Sequence, residues 1–224
     1  MHRGAEPSRV FLLSPAHLGG KRAAVLLREE AGFPLAVRLR GPDGVPLGEA
    51  FSFLSGLYFR GKLTYATRFA RPPAAVAGVQ VITANRGLVD AEAPVTPAEL
   101  RSLGSVDIHT DDPRYRVPLV RDVTRLAERP GLELVLLGSV ATGKYVDVLL
   151  DVVGERLLFP THFVGRGDMS RGALLLRSAR EGRELSYEPV AGALARLRRK
   201  TRGASNDGHQ QARRRSDPDP GGGE

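Results

Sequence analysis

The stretch LELVLLGSVATGKYVDVLL, residues 132–150, decides the fold. Its first six residues form a short, unbroken apolar run that stops at Gly138-Ser139, and a helical segment follows from Lys144 to Leu150. A short apolar run bounded by turn-forming residues is the pattern of a strand buried on both faces. Two other runs have the same form, 10–13 before Ser14-Pro15 and 79–82 before Thr83-Ala84-Asn85-Arg86-Gly87, and a fourth, 156–159, ends at Pro160. Between and around them, helices are expected over 20–28, 61–69, 97–103, 117–128, 144–150 and 171–181. The start at Pro97 is well marked: Thr96 is a good N-cap, proline at the first helical position wastes no donor, and Glu99 completes a capping box. Strands alternating with helices predict an α/β fold, a single domain with a mainly parallel sheet flanked by helices.

The domain is expected to span residues 1–198. Residues 190–198 suit a last amphipathic helix, and residues 199–224 have almost no apolar side chain to bury. A segment of that kind cannot offset its ordering entropy, so a disordered basic tail is expected there. PDGVPLG, residues 42–48, reads as a turn-rich connection. No internal repeat is visible.

With 42% hydrophobic residues, the 224-residue chain can bury one substantial core. It contains no cysteine, which excludes disulfides, thiolate metal sites and a cysteine nucleophile. No apolar run approaches the roughly 18 residues of a membrane span, and the opening MHRGAEPSRVFLLSPAH is too short in apolar residues for a signal-peptide core. A cytoplasmic protein with no membrane association is therefore expected. The net charge is +8, and residues 191–224 carry eight basic against four acidic side chains, which is half of it. Only Lys21, Lys62, Lys144 and Lys200 among the 33 basic residues are lysines. Arginine grips phosphate through a planar fork, which suits a nucleic-acid partner. The codon bias of a GC-rich genome accounts for the same excess.

In an open parallel sheet, ligands sit beyond the carboxyl ends of the strands. The residues expected there are small and polar: Ser14 after the first strand, Asn85 and Arg86 after the second, Ser139 and Thr142 after the third, with Lys144 and Tyr145 at the start of the next helix. GSVATGK has the glycines, hydroxyls and lysine of a phosphate cradle. It is not a Walker A loop, because Tyr145 stands where the magnesium-binding hydroxyl belongs. Later, GRGDMSRG, residues 165–172, offers Arg166 and Arg171 to a phosphate or carboxylate between flexible glycines. Asp168 has two readings there, a general base or a cap of a helix beginning near Ser170. The histidines show no metal-binding spacing, so no metal site or cofactor is expected, although His17 and His162 each follow a strand end. No GxSxG elbow is present.

Taken in order, these segments resemble the bacterial peroxide-stress protein YaaA family. FLLSPAH, residues 11–17, is similar to the family's first strand and Ser-Pro-Ala-Lys motif, with His17 in place of the lysine. LYFRGKLTYA (57–66) and VITANRGLVDAEAPV (81–95) fall where the family has its "VYxGLDA" and "SGLYGxLRPxD" regions. LLGSVATGKYVDVLL is similar to "NLASxEYxxxV", with Lys144 replacing the glutamate and Tyr145 retained, and MSRGALLLR (169–177) resembles the closing "ARGxMARxxI" helix. The resemblance, which extends to related uncharacterised bacterial families, implies an α/β protein with a positively charged cleft that binds DNA and acts in oxidative-stress protection. The changes at His17, Asn85, Arg86 and Lys144 make this cleft more basic than the family pattern.

Beside a non-enzymatic interaction protein whose tail recruits an acidic partner, two functions of different class follow. One is a DNA- or nucleotide-binding protein that contacts phosphate at the strand ends through Ser14, Asn85, Arg86, Ser139, Lys144, Tyr145, Arg166 and Arg171, the basic tail adding sequence-independent attraction. Aromatic residues are 6% of the chain, few for stacking on exposed bases, which favours duplex DNA over single strands. The other is an enzyme acting on a nucleobase, nucleotide or phosphorylated small molecule in the same cleft, with Asp168 among its polar groups.

Overall fold

A computed structural model of the chain describes residues 7–140 and 143–192. The expected final helix lies outside the described residues from 193 onward, as does the expected tail. Four parallel strands form the centre of the molecule: β1 (Arg9–Leu13), β3 (Val79–Ile82), β6 (Glu133–Leu137) and β7 (Leu157–Pro160). Short antiparallel strands close the edges, β4 (Leu88–Asp90) beside β3 and β8 (Tyr187–Pro189) beside β7, so the sheet order is β4-β3-β1-β6-β7-β8. A separate antiparallel pair joins β2 (Val45–Pro46) to β5 (Pro94–Val95). Every residue of β1 is buried, as its all-apolar run and central place require. Phe11 pairs with Val79 on one side and Val135 on the other.

Four helices lie between β1 and β3: α1 (Lys21–Leu26), α2 (Pro34–Arg40), α3 (Leu47–Ser55) and α4 (Leu57–Phe69). Next come α5 (Pro97–Gly104) and α6 (Pro113–Ala127), then α7 (Val146–Val153) between β6 and β7, and α8 (Asp168–Glu181) before β8. The chain moves from β1 to β3 on one side and returns to β6 on the other. Right-handed crossovers then put α4 and the α6–α7 pair on opposite faces of the sheet. On its face, α4 packs chiefly against α8.

The α4–α8 contact depends on two glycines. A Cβ at Gly61 would lie 2.7 Å from the Gly172 carbonyl oxygen, and one at Gly172 would lie 2.9 Å from the Tyr58 Cα. Both obstructions are backbone, so neither can swing aside.

The mainly parallel α/β sheet agrees with the sequence reading, and several element ends move by a few residues. The capping box is present, with Thr96 Oγ1 accepting from the Glu99 N–H at 3.3 Å and Glu99 Oε2 accepting from the Thr96 N–H at 2.9 Å. Residues 42–48 are not simply a turn. The turn ends at Gly44, whose φ of 62° suits glycine, and β2 and the start of α3 occupy the rest. Leu47, Ala50, Phe51 and Leu54 are the reason, since that spacing puts all four on one buried helical face.

At the amino ends of the strands, ionic groups are paired with one another. Arg9 donates to Glu133 from Nε at 2.9 Å and also bonds Glu184, while Arg71 reaches Glu184 through both terminal nitrogens at 3.0 Å. Tyr187 donates to Glu184 at 2.9 Å, and its hydroxyl lies 2.6 Å from that of Tyr65. Burial raises both phenol pKa values, that of Tyr65 to about 12. This network ties the edge strand β8 to β1 and α4.

The glycine crossing yields a stability test. Alanine is the better helix former by about 1 kcal/mol, yet Gly61→Ala and Gly172→Ala are each expected to destabilise the protein by about 1–3 kcal/mol through overpacking. Denaturant unfolding of the two variants measures this, and a stability gain in either would show that the helices part without strain.

Candidate functional site

Because β1, β3 and β6 run parallel, Ser14, Asn85 and Ser139 all follow carboxyl ends on one rim of the sheet. The strand order reverses beside β1, and a crevice at such a reversal is the usual ligand position of an open α/β sheet. A cavity of about 390 Å³ lies there. Phe51, Leu103 and Ile108 give it apolar lining, and His17, Thr83, Asp107, Lys144 and Tyr145 give it polar groups.

The expected site residues divide between this cavity and other places. Lys144 and Tyr145 line it, Lys144 exposed and Tyr145 half-buried, but both precede α7 rather than lying inside it. Burial also raises the Tyr145 phenol above its ordinary pKa. The phosphate cradle expected in GSVATGK meets an obstacle. Gly143 has a φ of 66°, and a Cβ built on it would lie 2.5 Å from Oδ2 of Asp147, so a carboxylate already covers this turn. Ala141 and Thr142 lie outside the described residues.

Asn85 and Arg86 are held away from the main cavity. Asn85 Nδ2 donates to the Ser102 carbonyl at 2.8 Å, Arg86 forms a 2.9 Å ion pair with Glu99, and the two residues border a shallow groove shared with Asp90 and Asp122. Arg166 is exposed and donates to Ser170 Oγ at 3.0 Å. Arg171 is partly buried, donating to the Phe163 carbonyl at 3.2–3.3 Å with Asp168 at 3.6 Å. It is not among the cavity's lining residues, so Lys144 and Arg171 do not share one anion pocket there. Asp168 is the first residue of α8 and does not cap it. Gly167 holds the cap position without a side-chain bond, because the helix starts two residues earlier than Ser170. Ser139 is half-buried behind β6, and exposed His162 lies beside Thr161.

One residue that the sequence reading passed over proves central. Lys62, on α4, is 1% exposed, and its Nζ donates to the Ser14 carbonyl at 2.6 Å and lies 2.9 Å from Ser14 Oγ. The Tyr58 and Phe59 rings lie 4.7 Å from the same nitrogen. Burial pulls the Lys62 ammonium down to about 7, and the Asp168 carboxylate opposes this. Tyr58 is buried too, and its hydroxyl has no hydrogen-bond partner among the described residues. Its phenol is pushed up to about 12, chiefly by burial. The Arg171 guanidinium draws it back without reaching hydrogen-bond geometry to Oη.

A signal for Lys62 exists in LYFRGKLTYATRF. Tyr58, Phe59, Tyr65, Ala66 and Phe69 mark the buried face of α4, and Lys62 lies on that face, four residues after Tyr58 and three before Tyr65. A lysine inside an apolar stripe is a buried charge in need of a role.

Among the described residues, no group of three or more histidine, aspartate or glutamate side chains could hold a metal ion, and no helix is long and apolar enough to cross a membrane. Comparison of the chain with protein-family models, curated proteins and solved structures gives no match.

The depressed Lys62 pKa has a definite linkage sign. Below pH 7 the lysine is protonated in both states, and the full cost of burying its charge is present. Between about 7 and the ordinary 10.5, the unfolded chain holds the proton and the folded chain has released it, so stability rises with pH. The stability of the wild type relative to Lys62→Met is therefore expected to increase across that window and to be level below it. Urea unfolding of both proteins at a series of pH values measures the difference, and a constant difference would mean that Lys62 titrates normally.

Proposed function

We propose that the cavity at the carboxyl ends of β1, β3 and β6 binds a nucleotide or a phosphorylated small molecule of similar size. The carrying observation is the cavity itself, whose volume of about 390 Å³ falls in the small-molecule range. Its apolar lining from Phe51, Leu103 and Ile108 suits a planar base or another apolar body. The Lys144 ammonium and the His17 ring suit an anionic group. A cytoplasmic protein related to the YaaA family, as the order of segments from Phe11 to Arg177 suggests, is part of this reading.

Duplex DNA receives less support from the geometry. Arg86 is engaged by Glu99, Arg171 by Phe163 and Asp168, and Arg166 by Ser170. The arginines of the tail lie outside the described residues. A cavity of about 390 Å³ also fits one nucleotide better than a rod of phosphates.

Titration calorimetry with purine and pyrimidine nucleoside monophosphates, the matching nucleosides and a short DNA duplex tests the proposal. At least one monophosphate is expected to bind more tightly than its nucleoside, and Lys144→Ala is expected to weaken it about tenfold, the loss of one charge-assisted hydrogen bond. Binding of the duplex alone, with a steep dependence on salt, would return the function to sequence-independent DNA contact.

A further inference from the structure

We propose that Ser14 is a nucleophile with Lys62 as its general base, and that the pair cleaves a phosphate ester. This rests on the phosphate-ligand reading above and adds the reaction to it.

The geometry suits the two roles. Nζ lies 2.9 Å from Ser14 Oγ, within the reach of a general base. A neutral amine has two N–H groups and one lone pair. Donating one N–H to the Ser14 carbonyl at 2.6 Å fixes the nitrogen and leaves the lone pair for the Oγ–H proton. A purely structural buried lysine would ordinarily be paired with a carboxylate. Lys62 instead meets the Tyr58 and Phe59 rings from α4 and Ser14 just after β1, and the Asp168 carboxylate on α8 acts on it without a hydrogen bond. That environment makes the free amine accessible near neutral pH.

Burial decides which of the two residues attacks. Lys62, 1% exposed, is sealed behind Ser14, whereas Ser14 is 8% exposed and directly precedes Pro15 and Ala16 of the cavity lining. The lysine is therefore placed to take a proton and the serine to meet the substrate. Gly138 passes close to the hydroxyl, since a Cβ there would lie 2.9 Å from Ser14 Cβ and 3.1 Å from Oγ.

In the first step, the Oγ–P bond forms as the bond from phosphorus to the leaving oxygen breaks. The Oγ proton passes to Lys62 Nζ, which holds it, and the departing alkoxide takes a proton from solvent water, leaving hydroxide. In the second step, that hydroxide attacks phosphorus and the Oγ–P bond breaks. Lys62 returns its proton to Oγ, so the ester and one water yield an alcohol and phosphate.

A fluorophosphonate, a phosphorus electrophile that loses fluoride to an activated serine, tests the pair on the full chain, with adducts located by mass spectrometry. A single adduct on Ser14 is expected, forming with a pH midpoint near 7, absent in Ser14→Ala and at least tenfold slower in Lys62→Met. No adduct, an adduct on another residue, or a wild-type rate in folded Lys62→Met overturns the proposal. Should Lys62→Met not fold, Ser14→Cys replaces it and introduces the single thiol of a chain that has none. Its alkylation by iodoacetamide is expected to have a midpoint below the ordinary thiol value of about 8.5, and a midpoint at or above that value overturns the proposal. Monophosphate binding without a Ser14 adduct overturns this inference and leaves the ligand site standing, while loss of both overturns both.

Discussion

The approach of α4 to α8 at Gly61 and Gly172 is the constraint on which the site depends. With side chains at both positions the backbones could not come this close, because the atoms a Cβ would strike are the Gly172 carbonyl and the Tyr58 Cα. Gly61 lies three residues after Tyr58 and one before Lys62, and Gly172 lies four after Asp168 and one after Arg171. One crossing thus gathers a phenol, an amine, a carboxylate and a guanidinium. Lys62 then spans the distance from α4 to the end of β1 and fixes Ser14 at the reversal of strand order.

The two ends of the sheet treat buried charge in opposite ways. At the amino ends, Arg9, Arg71, Glu133 and Glu184 satisfy one another, with Tyr65 and Tyr187 completing the network. Such a closed network fixes an edge strand and offers little to a ligand. At the carboxyl ends, among the described residues, Lys62 has no carboxylate in hydrogen-bond contact and Tyr58 Oη has no partner. Leaving a buried polar group unpaired costs about 1–3 kcal/mol. The Tyr58 hydroxyl carries that cost on the helix that brings Lys62 to Ser14, and strongly perturbed groups often serve chemistry.

The central strands were legible because burial on both faces leaves an unbroken apolar run, and Thr96-Pro97-Glu99 marked α5 because capping is local chemistry. The edge strands β4 and β8 carry no such mark. Each is three residues long and half-exposed, and each is set by a partner distant in sequence. The rim of the site followed from parallel topology alone, so Ser14, Lys144 and Tyr145 could be placed from sequence. The destination of each side chain could not. Asn85 turns to Ser102 and Arg86 to Glu99 because α5 packs against that turn, a tertiary fact with no local signal. Lys62 was missed for a different reason: the expected helix began at 61, which cut Tyr58 and Phe59 from the stripe that shows the lysine to be on its buried face.

The identity of that buried residue bears on what the site does. Arginine dominates this chain, with lysine at only four of 33 basic positions. Two of the four lie at the strand ends, Lys144 lining the cavity and Lys62 bonded to Ser14, and a third, Lys200, lies outside the described residues. The distinction is physical, because a guanidinium stays protonated in any protein environment whereas an amine can shed its proton when desolvated. An arginine at position 62 would bury a permanent charge against two aromatic rings with no carboxylate to receive its fork, an arrangement that costs several kcal/mol. Lysine avoids that cost by titrating, and the same property lets it accept a proton from Ser14 Oγ in the proposed reaction. The requirement that makes the fold tolerate a basic residue here is therefore the requirement for a base.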